Sequence, residues 1–253
     1  HEIQKQIDLF EAIGGAGVIL DIHSGEILAA ASLPDFNPNQ FGRVSDDARF
    51  NRATKGLYEM GSTFKVLNTA IALETGAANI NQRFEVAKPL RISRFTITDF
   101  KPRFRPLNVP EIMVYSSNIG SARIAEAIGA ETQRAYMDKL GLLDRLPLQL
   151  PETSKPLSPK TWRRTTTATV SYGHGISISM VHLASAIAAA AGTGHWIPPT
   201  LIKPKTGEAP MAMWVFSDST TRAVRSMMRL VVSHVDGSGN FAEAPGYMIG
   251  GKT

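Results

Sequence analysis

The apolar positions of this chain change period along its length. Between residues 16 and 33, two short apolar runs, Gly17-Val18-Ile19-Leu20 and Ile27-Leu28-Ala29-Ala30, flank the turn-forming His23-Ser24-Gly25 and predict a β-hairpin. From Ser62 the period becomes helical: Phe64, Leu67, Ala70 and Ile71 share a stripe, and Gly76 supplies the stop. Helices are also predicted over Pro110 to Gly129, with proline near the start, Glu131 to Gly141 and Ser179 to Gly192. The prolines and threonines of 143–165 predict connecting loop. A long helix is expected from about Ser217 to His234, capped by Ser217 or Asp218, with Ala223, Met227, Leu230 and Val231 on its buried face. Tyr247 to Thr253, apolar with small residues, reads as a closing strand that passes close to another backbone or a ligand. A strand pair, several helices, a long helix and a last strand predict an antiparallel sheet with a helical subdomain, an α+β fold.

Within this pattern a few polar residues stand where packing does not ask for them. Ser62 opens the first long helical stripe directly after Gly61, and Lys65 follows it by three residues, in the chain's one Ser-x-x-Lys. Residues three apart share a helix face, so the Lys65 amine can fold back on the Ser62 hydroxyl and take its proton if its pKa is lowered. The bland alternative is a serine cap followed by a solvated lysine. Ser116-Ser117-Asn118 comes 54 residues later, a polar triplet between the apolar Ile112-Met113-Val114 and a second helical pattern, and it predicts a tight turn between helices. Lys252 and Thr253 lie at the end of the expected closing strand.

Both later groups have decoys. Lys205-Thr206-Gly207 is a complete Lys-Thr-Gly, but Pro204 and Pro210 flank it, and proline is excluded from inner strands, so 203–210 reads as a turn. Ser238-Gly239-Asn240 repeats the Ser-x-Asn pattern inside a glycine-rich loop, too near Lys252 to face it across a cleft.

Composition narrows the function classes. The 253 residues, 43% hydrophobic and 19% charged, are enough for one large core. Zero cysteines exclude disulfides and thiolate metal sites. The six histidines have no metal-ligand spacing, and no Gly-x-Ser-x-Gly elbow is present, so the sequence calls for neither a metal or other cofactor nor a Ser-His-Asp hydrolase. His174, between two glycines, reads as a structural loop histidine, and Glu59 is given no role. The net charge of +5 is scattered apart from Lys101 to Arg105, which reads as a solvated loop and not as a nucleic-acid surface. No run of about 18 apolar residues is present.

Ser-x-x-Lys, Ser-x-Asn and Lys-Thr in this order, with Asn51-Arg52-Ala53, Tyr58 to Lys65, Ser171 to Ser177 and Pro245 to Thr253, resemble a class B penicillin-binding protein. The opening hairpin and the Ser32-Leu33-Pro34-Asp35-Phe36-Asn37-Pro38 run resemble the start of that family's transpeptidase domain. Two departures stand out: Met60 occupies a position where many members have proline, and Lys252-Thr253 lacks the motif's glycine. The resemblance implies a penicillin-binding protein/serine β-lactamase-like fold, an antiparallel sheet flanked by helices with the cleft between sheet and helical subdomain. It also implies that 1–253 is one transpeptidase domain whose C-terminal part lies outside this chain, with a membrane anchor and pedestal upstream.

For activity, the resemblance implies a peptidoglycan D,D-transpeptidase with Ser62 as nucleophile and Lys65 as its base. Ser116 would relay the proton to the leaving amine. Asn118 would bind the peptide backbone, and Lys252 and Thr253 the substrate carboxylate. The oxyanion hole would use the Ser62 N–H and a backbone N–H just beyond Thr253. Implied partners are peptidoglycan stem peptides, β-lactams, a membrane-embedded glycosyltransferase and division or elongation proteins, on the periplasmic face of the inner membrane. Glu59-Met60-Gly61 leans to the division-specific type. A β-lactamase or a β-lactam sensor sharing the acylation machinery is the alternative.

Overall fold

Gly15–Leu20 (β1) and Ile27–Leu33 (β2) pair antiparallel, with Val18 opposite Ala30 and a bulge at Ile19/Leu20. Their turn is closed by Asp21, whose carboxylate accepts from the His23 and Ser24 backbone N–H groups at 2.9 and 2.8 Å, while Gly25 takes the positive φ (74°) that favours glycine. The computed structural model describes residues 1–205, 207 and 209–253. Thr206, the middle residue of the decoy Lys-Thr-Gly, therefore lies outside the described residues, as does Glu208.

The core is organised around the helix Phe64–Glu74 (α3, after Glu2–Phe10 as α1 and Asp46–Arg49 as α2), in which every residue from Phe64 to Ala72 is buried. Around it pack Val109–Val114 (α4), Asn118–Ile128 (α5), Ala130–Lys139 (α6), Met180–Ala188 (α8, following Arg164–Val170 as α7) and Asp218–Ser233 (α9). A helix buried on all sides must satisfy its own polar groups, and α3 does so through a cross-helix network. Asn68 donates to the Ser121 carbonyl at 3.0 Å, and Gln133 donates to the Asn68 amide oxygen and the Thr167 carbonyl. Ser121 donates to the Ser171 carbonyl, and the Trp162 indole donates to Gln133 at 2.8 Å. These bonds fix α3 against α5, α6 and α7 one turn beyond Lys65, and so set the spacing of the groups discussed below.

Several expectations meet the structure directly. Ser217 is the cap of α9, accepting from Thr220 N at 3.3 Å, and Ser179 caps α8. Met227 and Val231 face inward as expected, whereas Leu230 is exposed, Ala223 half-buried, and Val224 and Val232 take up the rest of the buried face. His182, on α8, is a core histidine whose ring nitrogens meet Ser179 Oγ at 2.7 Å and the Asp144 carbonyl at 3.0 Å.

Two readings are corrected. The stretch read as loop to 165 runs into α7, whose Arg-Thr-Thr-Thr-Ala-Thr-Val sequence has poor intrinsic helix propensity. It is helical because Thr167, Ala168 and Val170 are buried and its threonines bond back to backbone carbonyls, Thr167 Oγ1 to Arg163 O at 3.1 Å and Thr169 Oγ1 to Thr166 O at 3.1 Å. The sequence reading assigned no element to Glu2–Phe10, which forms α1, a helix with no buried residue. The closing segment Tyr247–Thr253 is not a strand among the described residues. It runs instead against α9, where Gly251 N donates to Met228 O at 3.1 Å and Arg229 donates to Ile249 O at 3.0 Å. Among the described residues the antiparallel component is present as four two-stranded ladders: the β1–β2 hairpin, Arg83–Phe84 (β3) with Leu107–Asn108 (β6), Leu90–Ile92 (β4) with Phe95–Ile97 (β5), and His195–Trp196 (β7) with Met213–Trp214 (β8).

Candidate active site

Ser62 sits in a single 3-10 turn, Gly61–Thr63, that leads into α3. Gly61 opens the turn at φ 56°, and a second glycine holds it from outside: a side chain on Gly173 would fall 2.2 Å from the Gly61 carbonyl oxygen. Gly173 therefore has to be glycine on steric grounds, and the backbone of 172–175 lies directly on the serine turn. Glu59 completes the clamp by accepting from Gly175 N at 2.7 Å, a structural function that its position in the sequence did not reveal. His174, beside Tyr172 in the same loop, is exposed.

Lys65 lies in the first turn of α3 with 1% of its surface exposed. Its Nζ is 2.9 Å from Ser62 Oγ, 2.7 Å from the Ser116 carbonyl, 3.0 Å from Ser116 Oγ and 2.7 Å from Asn118 Oδ1. Burial pushes the amine down to about 7, the nearby Lys252 ammonium adds to the effect, and the Asp99 carboxylate opposes it. The neutral amine has two protons and one lone pair. The two shortest contacts are to oxygens that only accept, so they take the two protons, and the lone pair is left for a serine hydroxyl. Asn118 is oriented by its amide N–H, which donates to the Thr98 carbonyl at 3.2 Å and leaves the oxygen for Lys65.

The Ser116-Ser117-Asn118 turn connects α4 to α5 as its sequence predicts. Ser116 adopts φ 55°, the left-handed region that non-glycine residues rarely occupy, and this turns both its carbonyl and its hydroxyl toward Lys65. Ser116 Oγ is also 3.2 Å from Ser62 Oγ, so the two hydroxyls and the amine form one connected set. Ser117 points the other way, capping α5 by accepting from Gly120 N at 2.9 Å.

Asp99 is the site residue that sequence reading missed. It stands 19 residues before Asn118, in the segment after β5, and accepts from Ser117 Oγ at 2.7 Å, Asn118 N at 2.6 Å and Ile119 N at 3.0 Å. Nothing local marks an isolated aspartate in Thr98-Asp99-Phe100 as a partner for a distant helix N-terminus; only the fold brings them together.

Ser62, Ser116, Asn118 and Thr253 line one cleft of about 380 Å³, whose other walls include Phe100, Lys101, Arg103 and Ser238. Thr253 donates to Ser238 Oγ at 2.8 Å, so the glycine-rich decoy loop ends up as the immediate neighbour of the last motif. Lys252 donates to the Thr253 carbonyl at 2.5 Å, and burial lowers its amine to about 8. Lys205 lines a different cavity with Ser24, Pro198 and Met211, none of which borders the Ser62 cleft. Among the described residues no cluster of histidine and carboxylate side chains is arranged to hold a metal ion.

The chain as a whole was compared with known proteins. The profile of the penicillin binding protein transpeptidase domain matches residues 15–253. A Caulobacter vibrioides protein described as "Probable peptidoglycan D,D-transpeptidase FtsI" is 39% identical over 253 residues, covering all of this chain and 43% of that protein. The Neisseria gonorrhoeae "Probable peptidoglycan D,D-transpeptidase PenA" is 34% identical over 255 residues, again covering all of this chain and 43% of the relative. This chain thus spans less than half the length of these curated relatives. Among solved structures, the transpeptidase domain of Burkholderia pseudomallei penicillin-binding protein 3 superposes with a TM-score of 0.86 at 31% identity, over 99% of this chain and 71% of that one. With a family profile matched over nearly its whole length and the family's three motifs gathered around one cleft, the chain belongs to the penicillin-binding protein transpeptidase domain family.

Proposed function

We propose that this chain is the acyl-transfer domain of a serine-type D-Ala-D-Ala transpeptidase that cross-links peptidoglycan stem peptides and is acylated by β-lactams. The observation that carries the reading is the Lys65 amine, buried, depressed to about 7 and 2.9 Å from Ser62 Oγ. In the neutral form it takes the Ser62 proton as Oγ attacks the carbonyl carbon between the two terminal D-alanines. The tetrahedral intermediate collapses with loss of the last D-alanine, whose amine receives a proton through Ser116 Oγ. The amine of a second stem peptide then attacks the Ser62 ester, and the serine recovers its proton. Lys252 and Thr253 hold the donor's terminal carboxylate, and Asn118 its backbone.

The distribution of carboxylates supports aminolysis over hydrolysis. Asp99 is committed to the α5 N-terminus, and the one acidic residue among the described residues lining the Ser62 cleft, Asp236, pairs with Arg103 at 3.5 Å. Neither is placed to activate a deacylating water, which disfavours the β-lactamase alternative. Similarity to FtsI and PenA supports a division-type role. The same reading sets 1–253 as one domain of a longer, membrane-anchored protein on the periplasmic face, beside a glycosyltransferase and division proteins. No helix among the described residues is long and apolar enough to cross a membrane.

The test is mass spectrometry of the full-length protein after penicillin treatment. The drug's mass is expected on the peptide containing Ser62, persisting for many turnovers of a hydrolase, and absent from Ser62→Ala. A label on another serine, or its rapid loss as hydrolysed drug, refutes the reading.

A further inference from the structure

We propose that Arg103 is a positioning residue that ties the two walls of the cleft together, pairing with Asp236 on the carboxylate-binding side while its guanidinium lies on Tyr115, the residue before Ser116. The inference rests on the acyl-transfer reading and gives a role to a side chain outside the three motifs. The guanidinium carbon lies 4.0 Å from the centre of the Tyr115 ring, and Arg103 Nη2 is 3.5 Å from Asp236 Oδ2. Arg103 Nε is buried with no hydrogen-bond partner among the described residues, so the group is held by the ring and the carboxylate. A guanidinium partly stripped of water on an aromatic face gains more from the ring than an exposed one does. Lys101 to Arg105, expected from the sequence to be a solvated loop, therefore includes a built contact.

Each end of this strap is anchored. Arg105, two residues on, pairs with Glu111 of α4 at 2.7 Å, and β6 follows. Tyr115 ends α4 and runs directly into Ser116, so its ring belongs with the groups around Lys65. On the far side, Asp236 stands in the loop after α9. That loop is tied back to the helix by Gly237 N to His234 O at 2.8 Å and Gly239 N to Val231 O at 3.1 Å, and Ser238 within it accepts from Thr253 Oγ1. The closing segment is bonded to α9 as well, so the carboxylate side hangs on the end of this helix. The His234 ring, edge-on to Tyr115 at 6.0 Å, adds a second contact between the two sides. Ion pair, stack and edge contact together set how far Thr253 stands from Ser62.

Two roles for Arg103 predict opposite signs at position 236. If Arg103 acted only as a nearby cation that draws in the donor carboxylate, removing the Asp236 charge would release it and tighten binding. As a strap, Arg103 needs Asp236, and removing either end lets the carboxylate side drift.

The experiment measures the half-saturation concentration and limiting rate of penicillin acylation for the full-length wild type, Arg103→Ala, Asp236→Ala and the double variant, with a thermal melt of each. Each single variant is expected to raise the half-saturation concentration at least about fivefold and to leave the limiting rate within about twofold, because the groups that move protons stay in place. The double variant is expected to bind no more weakly than the poorer single one, since either change already removes the strap. Penicillin methyl ester, which lacks the carboxylate, should show no such difference between wild type and variants. Tighter binding by Asp236→Ala, additive losses in the double variant, a fall confined to the limiting rate, or an equal loss for the ester would each overturn the proposal. If Arg103→Ala does not fold, Asp236→Ala decides alone by the direction of its change. A wild-type protein that takes no penicillin on Ser62 refutes the acyl-transfer reading, whereas acylated variants with wild-type constants refute the strap alone.

Discussion

The two walls of the cleft are built differently. On one side, Ser62, Lys65, Ser116 and Asn118 are carried by helix N-termini and a turn packed into the core, and the Lys65 nitrogen alone has four oxygens within 3.0 Å. On the other, Lys252 and Thr253 lie on a segment with no ladder partner among the described residues; Thr253 is held through Ser238 and the backbone through single bonds to α9. The first wall has its geometry set before any substrate arrives, as expected of groups that move protons. The second has two groups that the proposed reading assigns to a carboxylate, a lysine amine lowered to about 8 and an exposed hydroxyl. On the proposed reading, proton transfer requires fixed distances, whereas capture of an anion requires charge within reach, and the two walls differ accordingly.

The largest effect is expected on the rigid wall. Arginine keeps a positive charge at 65 but does not release its proton in the working range, so Lys65→Arg should be as inactive toward β-lactams as Lys65→Ala while remaining folded. A folded Lys65→Arg with more than about a tenth of the wild-type acylation rate, a loss below about 1.4 kcal/mol, would show that Lys65 serves as a charge and not as the base.

A smaller effect, with its own pH signature, belongs to the open wall. Wild-type acylation should rise through about pH 7 as Lys65 loses its proton and decline above about pH 8 as Lys252 loses its own. Lys252→Ala should reduce acylation by at least about tenfold, or about 1.4 kcal/mol, and move the rising limb to higher pH because the charge that depresses Lys65 is gone. Lys205→Ala, in the other cavity, should leave rate and profile intact. Equal effects of the two alanine variants would merge the true motif with its decoy.

The remaining effect is on stability. The folded Lys65 value of about 7 lies below the ordinary lysine value of 10.5. Between these limits the unfolded chain binds the additional proton, so stability rises with pH, by up to about 1.4 kcal/mol per unit. Urea unfolding at pH 7, 8 and 9 should show this slope in wild type and its loss in Lys65→Met. Identical slopes would mean that Lys65 does not carry the cost of burial.

The sequence by itself determined the elements that depend on local chemistry. The β1–β2 turn, the Ser179 and Ser217 caps and the spacing of Ser62 and Lys65 all rest on bonds between residues a few positions apart, and such bonds leave a readable pattern. The order of the three motifs likewise identified the family without coordinates. Tertiary structure alone decided the rest. The α7 helix forms against its own propensity because its neighbours bury Thr167, Ala168 and Val170, and Tyr247–Thr253 follows α9 through bonds to Met228 and Arg229. Asp99 meets Ser117 across 18 residues and Glu59 meets Gly175 across 116. Lys65 has its lowered proton affinity only because α3 is enclosed by helices from the rest of the chain. Burial, strain at Ser116 and the field of Lys252 are sums over residues distant in sequence, so no window of the chain contains them.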